Sequence, residues 1–557
     1  FSFALAFACP AHTVLVLPTE LQAASLPETA NTNAPNTPLS GTCGESITWE
    51  LEEVPMEDAS DKTWYHLSLT GEGSMDQSLF WDIHTETVII SPWMDYREGI
   101  LSLTIGEGIT SICDYAFLGL SSLTSLELPD SIISIGNSAF RETASLTSVT
   151  CGAGLKRIGN NAFFNASSLS SVHLPEGLEE LGSYAFSGCT RLSGISLPES
   201  LAAIGHSAFF PSGLTSITIP RNVSSILPSA FSGTPLEEIH VQDGSQYYQA
   251  QNNVLYGLRE DGTPQKAIAY AVSAPANTVT LAEGTETIGA YTFSKAKNLT
   301  SLGLPSTLTE IGLGAFSRCS SLNSLRLPNQ LQTIGEDAFW GCKSLQEISI
   351  PDSVTTVGNR AFSFCDALTA IHIGNLCTSR IEWGNALQNS KSIRTVTVAP
   401  ENPYLTSIDN VLYDKAHTTL YYYAPMKPDD TYWVLAPVTA ISSHAIGQVP
   451  SIEKLYLPST LAKLCPYSIF ANQNLDSIYF SGNAPNGAQA KEVIDNCAED
   501  LLLYRTASST GWGSDAHWLS HPLSFWDPVA DLLETGPFWK PSPSGKPIPS
   551  RKQPLLK

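Results

Sequence analysis

Cysteine and histidine carry the most reactive side chains in this sequence, and their spacing argues against chemistry. Of eleven cysteines, Cys189, Cys319, Cys342 and Cys365 each stand three residues after a phenylalanine, so they fill one recurring position. No Cys-x-x-Cys occurs, which removes the commonest zinc spacing. Stacked units about 4.8 Å apart would lie within disulfide range, yet free buried thiols are expected, because Ala166 fills the same position elsewhere. His517 and His521 have the spacing of a helical metal pair. HWLSH, however, lacks the glutamate of a metalloprotease, and Pro522 follows at once. A nucleophile elbow, a P-loop, a dinucleotide fingerprint and a calcium loop are all missing. Paired glycosidase carboxylates need only be close in space, but Glu127, Glu179, Glu180 and Glu347 fall at variable outward positions of a solvated face. No catalytic residue, metal or cofactor is expected.

What organises these residues is a beat. A phenylalanine recurs every 23 residues at Phe117, Phe140, Phe163, Phe186 and Phe209, and again at Phe293, Phe316, Phe339 and Phe362. Such a period marks a solenoid whose units bury their apolar faces only against each other. Counting from Phe163, Leu169, Val172, Leu174, Pro175, Leu178, Leu181, Gly182 and Ala185 lead to the next phenylalanine; Phe316 is followed by matching residues at the same offsets. Positions +9 to +11 alternate apolar, polar, apolar, which predicts one short strand per coil and a parallel sheet. Proline at +12 removes a backbone donor and ends the strand. Glycine at +19 suits a bend of positive φ, and the small alanine before the phenylalanine leaves room for the ring.

The strings IGLGAFSRCSSLNSLRLP (Ile311 to Pro328) and IGEDAFWGCKSLQEISIP (Ile334 to Pro351) resemble the BspA-like leucine-rich repeat family of surface proteins, over roughly Leu101 to Gly482. The resemblance implies a β-rich repeat solenoid with 23-residue coils, β-rich caps and two hairpin-like inserts. Because proline replaces the usual asparagine of leucine-rich repeats, no asparagine ladder is expected.

The beat fails twice. Between Phe231 and Phe293, and again after the degenerate unit at Leu387, the tetrapeptide Asn-Val-Leu-Tyr appears, as Asn253 to Tyr256 and Asn410 to Tyr413. Each copy precedes a tyrosine-rich run, as a hairpin continuing the sheet would. Insertions in solenoids often map to a binding face, so Tyr247, Tyr248, Tyr256 and Tyr270, with Tyr421, Tyr422, Tyr423 and Trp433, are the candidate ligand-binding residues. The regular outward strand positions, such as Thr124, Ser125 and Glu127, are small and hydroxylic and offer few anchors.

The divisions expected along the chain are these: a signal peptide lacking its basic start (1–24), a linker (25–40), a β-rich N-terminal cap with Trp49, Trp64, Trp81 and Trp93 as its core (41–100), repeats (101–231), insert and repeat (232–292), repeats (293–387), a second insert (388–445), last repeats (446–482), a C-terminal cap with Trp512, Trp518 and Trp526 (483–539) and a proline-rich basic tail (540–557). No later segment has the apolar length of a membrane span. A net charge of -24 argues against nucleic acid or an anionic membrane as partner. The expected protein is noncatalytic and secreted or at the cell surface. The resemblance implies adhesion to host or matrix proteins or to other surface proteins; a passive spacer and a glycan-binding protein using the aromatic inserts are the alternatives.

Overall fold

The computed structural model describes residues 39–55, 62–79, 81–82, 87–88, 91–378, 381–486, 492–513 and 517–528. The expected signal peptide, nearly all of the linker and the basic tail lie outside them.

Most regular coils carry two short strands, the first being absent over 193–197 and reduced to a single bridge at Ser324. The first runs Ser125–Glu127, Ser148–Thr150 and Ser171–His173, paired parallel so that Leu126, Val149 and Val172 form one inward column. The prolines at 129 and 175 stand just past these strands, as a residue without an N–H must. The second sheet is built from two-residue strands, Ser134–Ile135, Arg157–Ile158, Glu180–Leu181, Ala203–Ile204 and Ser225–Ile226, again parallel and in register. A backbone ladder also links the Ala-Phe pairs: the N–H groups of Phe117, Phe140 and Phe163 each donate to the alanine carbonyl of the next coil at 2.8 Å.

These ladders stack the rings. Phe117, Phe140, Phe163, Phe186, Phe209 and Phe231 lie parallel with centroids 5.1 to 5.8 Å apart, and Phe293, Phe316, Phe339 and Phe362 repeat the column at 5.2 to 5.3 Å. Each coil thus buries its ring against two neighbours, which is why no coil is stable alone. The cysteine position lies beside the column. The thiols of Cys189, Cys319, Cys342 and Cys365 each donate to a phenylalanine carbonyl 26 residues earlier, at 3.0 to 3.3 Å, and all four are free and buried.

Two expectations are corrected. Glycine at +19 does not supply a positive φ; a Cβ on Gly182 would sit 2.6 Å from the backbone N of Asn160, so the residue permits close approach of the preceding coil. Positive φ falls instead on both sides of the phenylalanine, two residues before it at Asn161 (55°), Tyr184 (57°) and Asp337 (53°), and two after it at Asn165 (59°) and Gly188 (79°). A short polar ladder also exists, at a position the common pattern does not use. Asn137 Oδ1 accepts from the N–H of Asn160 at 2.8 Å, and Asn160 Oδ1 from that of Ser183 at 2.7 Å. It caps the glycine bend, where backbone N–H groups of successive coils line up.

At the N-terminal end, Ile47–Val54 and Trp64–Gly71 pair antiparallel, flanked by Ser40–Thr42 and by Ile100–Ile105. Trp49 and Trp93 are buried, Trp64 is half-exposed under Lys62, and the side chain of Trp81 lies outside those described. At the other end Trp512 and Trp518 close against Phe480 with centroids 4.8 and 5.3 Å away.

Both inserts are three-stranded antiparallel units, Tyr248–Gln251, Val254–Leu258 and Pro264–Tyr270 in one, Leu405–Ile408, Val411–Asp414 and Thr419–Tyr423 in the other. Asn252-Asn253 and Asp409-Asn410 turn the first hairpin of each, with positive φ at both residues, as a type I′ turn demands. The third strand then pairs parallel with the second sheet of the solenoid (Lys266 with Thr287, Thr419 with Ala440), so each insert continues the stack. The buried apolar side chains form two clusters divided within the second insert: Leu412 and Tyr422 belong to the N-terminal one, Val411, Tyr413, Leu420 and Tyr423 to the C-terminal one.

Candidate recognition surface

The eight aromatic residues expected at the inserts separate by burial. Tyr248, Tyr256, Tyr270, Tyr422 and Tyr423 are in the core, Tyr421 and Trp433 are half-buried, and Tyr247 is exposed. Two of the buried hydroxyls brace the first insert. Tyr248 Oη accepts from the N–H of Ile226 at 2.8 Å and Tyr256 Oη from that of Ala282 at 3.1 Å, tying it to the coil before and the coil after. Burial pushes both phenols above their ordinary range. The residues therefore do not converge on one ledge.

The second insert holds a polar cluster that the first does not. Lys427, with a side chain 4% exposed, contacts the carboxylates of Asp409 and Asp429, and beside it the hydroxyls of Tyr413 and Tyr432 meet. Its two carboxylates offset desolvation and hold the ammonium above its ordinary range. In the first insert the aligned positions of Asp409 and Lys427 are Asn252 and Ala274, so this ion pair is particular to the second.

An aromatic ladder begins where the second insert ends. Thr431–Trp433, Lys454–Leu457, Ser477–Phe480 and Leu502–Thr506 are parallel neighbours in register, and the residue after the inward apolar one of each strand lies on the sheet face away from the core, where Tyr456 is buried by its neighbours and Trp433, Tyr479 and Tyr504 are half-buried. At that outward position earlier coils carry Glu127, Thr150 and His173; here it carries Trp433, Tyr456, Tyr479 and Tyr504. Successive rings stack with centroids 3.7, 4.4 and 4.7 Å apart. Trp526 lies edge-on across Tyr456 and Tyr479, while Arg505 covers the ring of Phe525, which is 63% exposed. Trp433 stands in the edge strand of this sheet and so ends the ladder. Of its members only Trp433 stood among the candidates expected from sequence; following the position one residue after the inward leucine through Tyr456, Tyr479 and Tyr504 would have revealed the rest.

A further surface follows the phenylalanine column, along the residues just after each ring. Arg141 lies over Phe164 (4.9 Å), Lys295 over Phe210 (5.7 Å) and Arg318 over Trp340 (4.8 Å), and Trp340 in turn meets Phe364 at 5.4 Å.

The reactive side chains among the described residues are dispersed or buried. Among the described residues no group of three or more His, Cys, Asp or Glu is placed to hold a metal ion. His517 and His521 lie on a hairpin, His517 opposite Pro522, and do not share a helical face. The buried thiols are pushed up by desolvation, to about 12 for Cys189, Cys319 and Cys365, which leaves them inert as nucleophiles. No described helix is long and apolar enough to cross a membrane.

Comparison with known proteins agrees with this architecture. A leucine-rich cell surface protein from Faecalibacterium prausnitzii is similar at 26% identity over 66% of this chain and 96% of its own, with a TM-score of 0.51. A leucine-rich repeat protein from Eubacterium ventriosum (20% identity, 82% and 95% covered, TM-score 0.44) and the pneumococcal vaccine antigen PcpA (17%, 87% and 98%, 0.46) are more distant. No curated protein matches the sequence. The BspA type leucine-rich repeat region matches in six copies over residues 95–209, 133–257 and 268–415, more than half of the chain, which therefore belongs to that family.

Proposed function

We propose that this chain is a noncatalytic recognition protein, secreted or held at a cell surface, that adheres to protein partners such as host or matrix proteins. The observation that supports this reading is the change of the outward sheet position from small polar residues to the half-buried rings of Trp433, Tyr479 and Tyr504, stacked through the buried Tyr456. Recognition hot spots favour Trp, Tyr and Arg held rigidly, and stacking removes the rotamer freedom that binding would otherwise have to freeze. Tyr247 and Tyr421, at the inserts, extend the candidate contact set. A glycan is the weaker partner, because sugars pack on open ring faces and the tyrosines of the ladder spend theirs on each other.

The test is adhesion of the immobilised full chain to a panel of purified matrix proteins and cells. Changing Trp433 and Tyr504 together to serine is expected to weaken the best interaction by tenfold or more, with an unchanged far-UV spectrum. Equal affinity in wild type and variant would sink the assignment to this face.

A further inference from the structure

We propose that the edge just after the phenylalanine column, across the coils of Phe293, Phe316 and Phe339, binds an anionic polysaccharide. The net charge of -24 conceals the segregation that makes this possible. In the segments Ser294–Asn298, Ser317–Ser321 and Trp340–Ser344 stand Lys295, Lys297, Arg318 and Lys343, and no acid. The acids of these coils stand elsewhere: Glu310 sits in a second-sheet strand, Glu336 and Asp337 follow the next one, where Arg360 pairs with both, and Glu347 and Asp352 lie in and just past a first-sheet strand.

The backbone makes the edge a rigid, periodic array. The N–H of Lys295 donates to the carbonyl of Ser317 at 2.8 Å, that of Arg318 to Trp340 at 2.6 Å and that of Gly341 to Ser363 at 2.8 Å, so each segment is bonded to the next in the same way, second residue to first. With rings 5.2 to 5.3 Å apart beneath them, the four cations lie on coils spaced well inside the ~8 Å Debye length of physiological salt, and their fields add. Lys343 has a neighbouring acid in Asp366, 3.8 Å away, but both are more than half exposed and the pair is weak. Trp340 holds the Arg318 guanidinium over its face and meets Phe364 edge-on, which fixes one cation in advance and leaves apolar ring surface beside it.

Each of the three coils carries a cation at the second or fourth residue after its phenylalanine, which suits a polymer that carries charge in every repeat. Polysaccharides with sulfate or carboxylate groups on regularly linked rings have that property, and their ring C–H faces suit the indole and phenyl surfaces. An acidic protein segment offers charges at irregular intervals and suits the array less well.

The test uses the full chain and immobilised dextran sulfate, with soluble poly-glutamate as competitor. Binding is expected at about 50 mM salt despite the overall negative charge, falling log-linearly as salt rises while counterions are released. The R318S/K343S variant changes only exposed side chains and is expected to melt as the wild type does and to bind at least tenfold more weakly. A control with the same charge change elsewhere, K454S/K463S, is expected to bind as wild type. Absence of binding, equal binding by R318S/K343S, or displacement by poly-glutamate as effective as by free dextran sulfate would each overturn the proposal, the last in favour of an acidic protein partner.

Discussion

Trp93 lies parallel to Phe117 with ring centroids 5.5 Å apart, so the N-terminal cap extends the phenylalanine column by one ring beyond the first coil. Its indole N–H donates to the carbonyl of Ala116 at 3.0 Å, and Trp49 packs edge-on behind it at 5.6 Å. Trp93→Ala should therefore cost about 3 to 5 kcal/mol in urea unfolding. The loss should be local, with hydrogen exchange accelerated in the first coils and little changed beyond the first insert. Trp64→Ala, at a half-exposed ring, should cost less than about 1 kcal/mol.

The column of thiols gives a pH dependence of definite sign. Burial raises Cys319 and Cys365 from 9.0 to about 12, so the folded protein keeps them protonated where the unfolded chain would ionise them. Their contribution is full below pH 9 and is lost as pH rises toward 12, at about 1.4 kcal/mol per pH unit for each thiol. Chemical denaturation at pH 8 and pH 10.5 checks this; Cys319→Ala, which cannot ionise, should lose less stability between the two. Native protein at pH 8 should leave these cysteines unlabelled by a maleimide that reacts with them in guanidinium.

The braces of the first insert separate structure from binding. Tyr256→Phe and Tyr248→Phe each leave a backbone N–H without its acceptor and should cost about 1 to 2 kcal/mol. Tyr247→Ala, at a 46% exposed ring, should change stability by no more than about 0.5 kcal/mol. A thermal melt of the three variants decides it; equal effects would mean that the hydroxyls are not braces.

Backbone conformation sets a pair of opposite predictions. Gly182→Ala places a Cβ against the backbone of the preceding coil and should destabilise by about 3 kcal/mol or more. Ser229 has φ 62° and a buried hydroxyl without a hydrogen-bond partner. Ser229→Gly removes both penalties and should stabilise by about 1 kcal/mol. Denaturant midpoints measured side by side test the two signs together.

The phenylalanine beat made the solenoid legible because a side chain recurring every 23 residues needs coils of equal length stacked on one another, and the Asn-Val-Leu-Tyr copies marked both inserts. The glycine position is ambiguous in sequence for a physical reason. Positive φ and close approach both select glycine, and only the neighbouring coil shows which applies to Gly182. The polar ladder at Asn137 and Asn160 was hidden because Ser183 stands where a third asparagine would have made a pattern. The aromatic residues of the inserts looked like a surface because tyrosine is at home on either side of it. Whether Tyr256 faces water or core depends on strand register within the hairpin, which the chain does not spell out.

The division of the apolar interior inside the second insert has a mechanical consequence. Alternate side chains of Val411–Asp414 face opposite cores, Leu412 one way, Val411 and Tyr413 the other, so this sheet layer is a seam. A molecule stretched between two surfaces would part at that seam, releasing the aromatic end as one block while the longer stack stays folded, and the extension would show a step rather than a gradual unravelling.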